Sequence, residues 1–559
     1  MDKGSIIRWV AGAAFLLGLQ GHAEVEQTDL RAASGSGEEN NRFSRLDPEA
    51  TGLESNLAIQ YDHPQQFLYH SSMSAGGLAV GDLNGDRMPD VFVSRGGRPP
   101  QLFVQQEPLV FTDTSAAAGL PADDANWSAG VAMIDIDGDA DLDVYLTRYN
   151  APNQLFVNDG KGHFTEQANA FGLDVTDASL MAAFCDYDRD GDLDLYLLTY
   201  RYYSPTGRPK GIQSYLVDGK RVVTPEFAKF YKLLPGNPLD PGSWEYNEIG
   251  RPDYFFENNG DGTFSDVSEK VGISREPGFG NSATWWDYNS DGWPDIYVGN
   301  DFQDPDFLYE NQGDGTFKNV VREATPHTPW YSMGAAAGDL NNDGHEDLMV
   351  VDMAATSHYM SKTTMGEMST FREFLDTTEP RQMMRNAVYF ATSTAHLMEV
   401  GNLAGLGSSD WSWAVKMADF DLDGWQDVFV SNGMVRNFNN SDLALVGRDV
   451  LVGRTVWDIF KDAKPRNERN QMFRNEGGGL RFSPVGKSWG LDHLGMSYSA
   501  ALSDLDRDGD ADLIVSHLDD RVDIYRNDTQ GGNRLLVELK GSGANPYAVG
   551  ARIQVSAPG

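Results

Sequence analysis

A nine-residue Asp-rich string returns seven times in this chain, and no other feature limits its fold as tightly. It reads DLNGDRMPD from Asp82, DIDGDADLD from Asp135, DYDRDGDLD from Asp186, DYNSDGWPD from Asp287, DLNNDGHED from Asp339, DFDLDGWQD from Asp419 and DLDRDGDAD from Asp504. Successive copies start 53, 51, 101, 52, 80 and 85 residues apart. Three steps agree near 52, which sets the unit; the longer steps carry insertions. Length alone, at 559 residues, would suggest several unrelated domains, but a sustained period means one repetitive architecture.

Each unit holds four short strands. In the second unit the small-residue run Gly130-Val131-Ala132-Met133-Ile134 enters the Asp loop and Leu142 to Leu146 leaves it. Gln154 to Val157, a turn at Asn158-Asp159-Gly160-Lys161-Gly162, and His163 to Glu166 follow. Tandem four-stranded units bury their faces against neighbours around an axis, so the expected fold class is all-β, a seven-bladed β-propeller over 42–531. Small residues in the first strand suit its crowded centre. The seventh unit stops after Val522 to Asn527 without a fourth strand, whereas Arg42-Phe43-Ser44-Arg45-Leu46 through Leu53 resembles the fourth strand and tail of the others. The N-terminal strand is therefore expected to complete the last blade and close the ring.

The strings also point to a chemistry. Carboxylates at positions 1, 3, 5 and 9, with Gly at 4 or 6 for the tight turn, can curl around one hard cation, and Ca²⁺ takes six to eight oxygens. The candidate ligands are Asp82, Asn84, Asp86 and Asp90 in the first loop, Asp135, Asp137, Asp139 and Asp143 in the second, and Asp186, Asp188, Asp190 and Asp194 in the third. The fourth and fifth offer Asp287, Asn289, Asp291, Asp295 and Asp339, Asn341, Asp343, Asp347; the sixth and seventh offer Asp419, Asp421, Asp423, Asp427 and Asp504, Asp506, Asp508, Asp512. With Asn at position 3 of three loops the set supplies 25 carboxylates, whose mutual repulsion calls for cations. Up to seven Ca²⁺ are expected; Mg²⁺ prefers compact, water-rich octahedra. One Asp-rich turn would say little, since Asp and Gly also suit ordinary turns, but seven stand in register.

A formal net charge of −39 argues against a nucleic-acid partner, which needs clustered Lys and Arg. Lys3 and Arg8, the apolar run Trp9 to Leu19 and the small-x-small site Gly21-His22-Ala23 read as a signal peptide over 1–23, too short in its apolar part for a transmembrane segment. Residues 24–41 read as a disordered linker. A secreted, periplasmic or cell-surface protein is expected. Cys185 is the one cysteine, so no disulfide framework exists, and its setting after Ala182-Ala183-Phe184 suits burial better than nucleophilic chemistry.

The Asp loops, with NQLFVNDGKGHF from Asn153, DYFFENNGDGTF from Asp253, DFLYENQGDGTF from Asp306 and NQMFRNEGGGLRF from Asn470, resemble FG-GAP/VCBS repeats, related to those of integrin α-subunit propellers. That resemblance implies Ca²⁺ ligation through positions 1, 3, 5 and 9 and the carbonyl at 7. Over most of its length the chain is similar to the cartilage acidic protein family. The marks are Gln382-Met383-Met384-Arg385-Asn386, Asp410-Trp411-Ser412-Trp413, and the ending Asn533 to Leu539 with Gly550-Ala551-Arg552-Ile553. This ending resembles the start of an ASPIC/UnbV domain, so 532–559 is expected to be a truncated β segment, two strands joined by a Gly/Asn/Pro turn. The resemblance implies adhesion or matrix-type roles.

Strand direction alternates within a blade, so all Asp loops share one face and the insertions 201–252, 354–384 and 434–469 share the other. The first insertion carries eight Lys/Arg against five Asp/Glu. Its aromatics Tyr202, Tyr203, Tyr215, Phe227, Phe230, Tyr231, Trp244 and Tyr246 suit either recognition of a protein or carbohydrate or a satellite core that pins the insertion down. Residues 353–384 hold six of the 18 Met, with a candidate helix near Thr370 to Leu375. No metalloprotease string, nucleophile elbow or phosphate loop occurs, so no enzyme is expected. The expected function is a calcium-binding scaffold for an extracellular protein or polysaccharide, with its oligomeric state open. The alternative is a polysaccharide lyase or hydrolase using Arg201, Lys210, Arg251 or Tyr203.

Overall fold

The computed structural model describes residues 42–235, 243–302, 304–364, 379–392, 394–440, 448–532, 534–541 and 543–553, together with strands Ser5–Val10 and Val25–Asp29. The helix expected near Thr370 to Leu375 lies outside them. The fold is all-β and propeller-like, with 41% strand and 10% helix. Seven antiparallel meanders of four strands follow one another, each with its Asp loop between the first and second strands. In the first unit these strands are Leu78–Gly81, Asp90–Arg95, Arg98–Glu107 and Val110–Asp113. Units two and three merge where Thr176–Cys185 also pairs with Asp143–Pro152.

First strands pack against one another in chain order, and that of unit seven, Ser497–Ser503, packs against that of unit one. Their small residues let the backbones approach closely. A Cβ on Gly130 would lie 2.4 Å from the Leu180 carbonyl oxygen, and one on Gly334 would lie 2.3 Å from that of Trp413. Second strands are continuous apolar runs because neighbouring units cover both of their faces; Leu195, Leu197, Leu513, Ile514 and Val515 are fully buried.

Phe43–Arg45 supplies the fourth strand of unit seven. It pairs antiparallel with Asp523–Asn527 in the register Phe43↔Asn527, Ser44↔Arg526 and Arg45↔Tyr525. Phe43 is fully buried between Phe420, at 5.8 Å, and Trp489, at 6.5 Å. The one-turn helix Pro48–Thr51 with a left-handed Gly52 repeats the tail of other units, as at Ala168–Phe171 with Gly172 and Gly486–Trp489 with Gly490.

The insertions converge. Arg208 bridges Val452, and Arg466 donates to the Thr363 carbonyl and, at 2.6 Å, to Thr364 Oγ1. Within the first insertion Ile212, Val223 and Tyr231 form a satellite core with Phe227, Phe230 and Tyr246. Tyr215 and Trp244 stay exposed. Of the ending, Leu535–Lys540 is a strand, paired parallel with Ser5–Val10, which pairs in turn with Val25–Asp29. The second strand expected after it does not form among the described residues. Instead the chain curls on itself, Gly541 N donating to the Pro546 carbonyl at 2.7 Å, and Tyr547 anchors it to the Ala140 carbonyl in the second Asp loop.

Candidate metal centres and the opposite cavity

Each Asp loop is wound by two left-handed residues, at positions 4 and 6. Only one of the two is Gly; its counterpart is Arg87, Ala140, Arg189, Ser290, Asn342, Leu422 or Arg507. A left-handed non-Gly residue costs about 1–2 kcal/mol, and such strain persists only where surrounding bonds over-determine the backbone. The Asp at position 1 does this by accepting from loop N–H groups: Asp419 takes Asp423 N at 3.0 Å and Gly424 N at 2.8 Å.

Position 9 is a buried staple in all seven loops. One carboxylate oxygen accepts the N–H of position 2, as Leu83 N to Asp90 and Leu505 N to Asp512, both at 2.9 Å. The other accepts an N–H at the end of the third strand, as Gln105 N to Asp90 at 2.9 Å and Asn527 N to Asp512 at 2.7 Å. The metal loop is thereby tied to the blade.

In four loops the position 1, 3 and 9 carboxylates converge, with ligand oxygens within 4.8 Å of one another: Asp135, Asp137, Asp143; Asp186, Asp188, Asp194; Asp419, Asp421, Asp427; and Asp504, Asp506, Asp512. Asp186 Oδ1 and Asp421 Oδ1 are buried without a hydrogen-bond partner, as hard-cation ligands would be. These residues fit a metal ion. The other three loops have Asn at position 3 and share the winding, Asn84, Asn289 and Asn341 donating to Asp86, Asp291 and Asp343 at 2.9–3.0 Å. Two loops carry an internal counter-charge: Arg474 bonds Asp421 and Asp423, each at 2.7 Å, and Arg534 lies 3.0 Å from Asp510.

One role escaped the sequence pattern. The Asn ending the third strand donates its side-chain amide to the position 2 carbonyl of the preceding unit's loop. Asn158, Asn311 and Asn475 reach Leu83, Tyr187 and Leu340 at 2.8 Å, and Asn527 reaches Phe420 at 3.0 Å. The Asn at this place in every such string signalled it, since a turn alone would not need a buried amide there.

Burial pushes the position 9 carboxyls up without a cation: Asp90 to about 7, Asp143, Asp295, Asp347 and Asp427 to about 8, and Asp194 to about 9. A carboxyl raised on folding holds its proton in the folded state, so stability is lost as pH climbs from the unfolded value towards the folded one. Burial lowers His70 and His493 to about 4, which acts only below the ordinary imidazole range. Metal-free protein should therefore melt progressively lower from pH 6.5 to 8.5, and saturating cation should flatten that slope; melting curves at fixed ionic strength test this.

On the insertion face a cavity of about 200 Å³ is lined by His70, Arg201, Tyr203, Glu248, Asp301 and Trp411, among others. Arg201 pairs with Glu248 and lies 4.0 Å from the Tyr203 ring centre. Although burial acts to raise it, Glu248 is held below the usual carboxylate range by Arg201. Tyr200 donates to Asp301 Oδ2 at 2.7 Å, and burial pushes Asp301 up to about 6. Asp301 Oδ1, Trp411 Nε1 and Arg201 Nε are buried without a hydrogen-bond partner. Arg251 is instead engaged by Asp177 at 2.7 and 2.8 Å, and Lys210 is exposed. Cys185 is buried beside the third loop, where burial raises its thiol far above the ordinary value.

A ring of four-stranded units, each carrying a wound Asp loop, defines an FG-GAP-type propeller-like protein. The FG-GAP-like repeat model matches residues 82–146, 135–197, 246–298 and 287–350. Cartilage acidic protein 1 from Homo sapiens is 23% identical over 80% of this chain and 65% of its own length; that from Xenopus tropicalis is 24% identical over 74% and 61%. The chain thus carries FG-GAP-like repeats and is similar, at low identity and over most of its length, to cartilage acidic protein 1 of the ASPIC/UnbV family, of which it spans less than two thirds. Solved structures with some likeness include an Agrocybe aegerita lectin recognising non-reducing terminal N-acetylglucosamine (TM-score 0.39, 12% identity, 79% of this chain and 85% of that one). Another is the V. cholerae biofilm matrix protein Bap1 (TM-score 0.35, 12% identity, 85% and 91%). Among the described residues no helix is long and apolar enough to cross a membrane.

Proposed function

We propose that this protein is an exported, seven-bladed, calcium-binding propeller that works as a binding scaffold, with Ca²⁺ as structural staples on one face and a polysaccharide or extracellular protein bound on the other. The Asp loops favour Ca²⁺ because they offer many oxygen ligands around one turn. When bound, the ion supplies the positive charge that offsets the clustered carboxylates. The observation that carries the binding face is the insertion-side cavity, where the polar atoms of Asp301, Trp411 and Arg201 lack partners beside aromatic rings. Such groups are satisfied by a polar ligand with hydroxyl or amide functions.

A second reading, a polysaccharide lyase or hydrolase, draws on Glu248 and Asp301 in the same cavity as Arg201 and Tyr203. A glycan array followed by product analysis separates the two. Saturable binding without cleavage, weakened about tenfold or more in Arg201→Gln, supports the scaffold. New reducing or unsaturated ends support the enzyme. Binding that Arg201→Gln leaves unchanged places the ligand elsewhere.

A further inference from the structure

The seventh unit departs from the repeat at one corner. Where the second strand meets the third, five units carry a buried Asn or Asp whose side chain accepts the N–H ending the second strand: Asn153, Asp253, Asp306, Asn386 and Asn470. Unit seven has Val522 in that place, so the corner lacks this bond. The second strand ends there in His517, where the others have Arg95, Arg148, Thr199, Asn300, Asp352 and Asn432. Asp523 follows Val522, and His493 arrives from the connection between units six and seven.

These three side chains face one another. Ligand atoms of His493, His517 and Asp523 all lie within 4.8 Å, and the two imidazole ring centres are 4.2 Å apart. His517 and Asp523 are 0% and 1% exposed. His517 Nε2 stands 2.9 Å from Asp523 Oδ2, and His493 Nε2 is buried without a hydrogen-bond partner. Ser497 Oγ lies 2.8 Å from His517 Nδ1. With Nδ1–H donating to that hydroxyl, Nε2 presents its lone pair inward, the arrangement found behind metal-bound imidazoles. Arg45, at 2.8 Å, and Arg521, at 3.1 Å, also pair with the Asp523 carboxylate.

We infer that His493, His517 and Asp523 form a binding site for one borderline divalent transition ion of the Zn²⁺ or Co²⁺ class, separate in place and chemistry from the all-oxygen Asp loops. Two imidazoles and one carboxylate suit such ions, whereas Ca²⁺ takes oxygen. The site gathers the connection from unit six, two strands of unit seven and, through Arg45, the closing N-terminal strand. A bound ion would staple the seam at which the ring shuts. The competing account is an ion-pair network in which Asp523 serves only Arg45 and Arg521.

The test uses the full chain without a histidine tag, held in excess Ca²⁺ so that the oxygen loops are saturated, and titrated with Co²⁺. One equivalent should bind with visible d–d absorption, and Zn²⁺ should displace it. In His493→Gln that equivalent should be lost while the Ca²⁺ form still folds and melts in one cooperative transition, because His493 is only partly buried. Asp523→Asn, which preserves shape, should weaken it as well. A wild-type chain that retains no Co²⁺ leaves only the ion-pair network, and a Co²⁺ spectrum identical in wild type and His493→Gln puts the ion elsewhere; either result overturns the inference.

Discussion

Removal of residues 42–53 should open the ring and cause the largest loss of stability of any short deletion. The segment supplies one strand of unit seven, and its removal strips cover from Phe420, Trp489 and Tyr525. It also breaks the Arg45–Asp523 ion pair and the bonds from Leu46 N to the Ile524 carbonyl and from Asp528 N to the Arg42 carbonyl. Phe43→Ala isolates the packing part of this effect. A fully buried Phe between two aromatic rings should cost about 3–5 kcal/mol when truncated. Calorimetry should record the lowered transition. Hydrogen exchange should then rise first in Ser497–Ser503, Asp512–His517 and Asp523–Asn527, the strands beside the gap. A melting curve unchanged by the deletion would refute closure by this segment.

Removing Ca²⁺ should produce the second large effect. A ligand that binds only the folded state contributes about 2.7 kcal/mol per site at a hundredfold excess over its Kd. Several such loops acting together should shift the melting temperature strongly and in proportion to the logarithm of free Ca²⁺. Affinities on the order of 10⁻⁴ to 10⁻³ M, as in extracellular modules, put the response at millimolar ion. The loops should not contribute equally. Arg474 already pairs with Asp421 and Asp423, and Arg534 with Asp510, whereas loops two and three have no such partner among the described residues. Asp137→Asn should therefore reduce the Ca²⁺-dependent gain more than Asp421→Asn. Indifference of the melting curve to chelation would remove the metal reading altogether.

The fold was legible because two demands fall on the same residues. Position 9 carries a carboxylate of the candidate metal centre and holds two backbone N–H groups, so Asp recurs there in every unit and the period stands out. The closing strand was legible for a related reason: Phe43 and the tail to Leu53 copy the fourth strand of other units. What the sequence hid depends on partners far apart along the chain. Arg201, Glu248, Asp301 and Trp411 come together only once three units and an insertion are assembled, so no local string marks their cavity. Arg251 looked equally available in sequence, yet Asp177 claims it. Half of the insertion aromatics, Phe227, Phe230, Tyr231 and Tyr246, turned inward to the satellite core because its short hairpins have no other apolar surface to cover. Tyr547 bonding to the Ala140 carbonyl was hidden for the same reason, since the two lie in distant parts of the chain.

The pairing of Phe43–Arg45 with Asp523–Asn527 also sets the order of events as the chain folds. Ser44 and Asp528, which are hydrogen-bonded in the finished ring, stand 484 residues apart. A contact that distant carries the full entropic cost of closing a long loop and cannot form until nearly the whole chain has been made. The six units between can assemble by local pairing while the first strand waits, its phenylalanine uncovered. The last pairing to form is thus a clasp between the first strand and unit seven, and until it shuts, Asp523–Asn527 presents an open edge to any neighbouring chain.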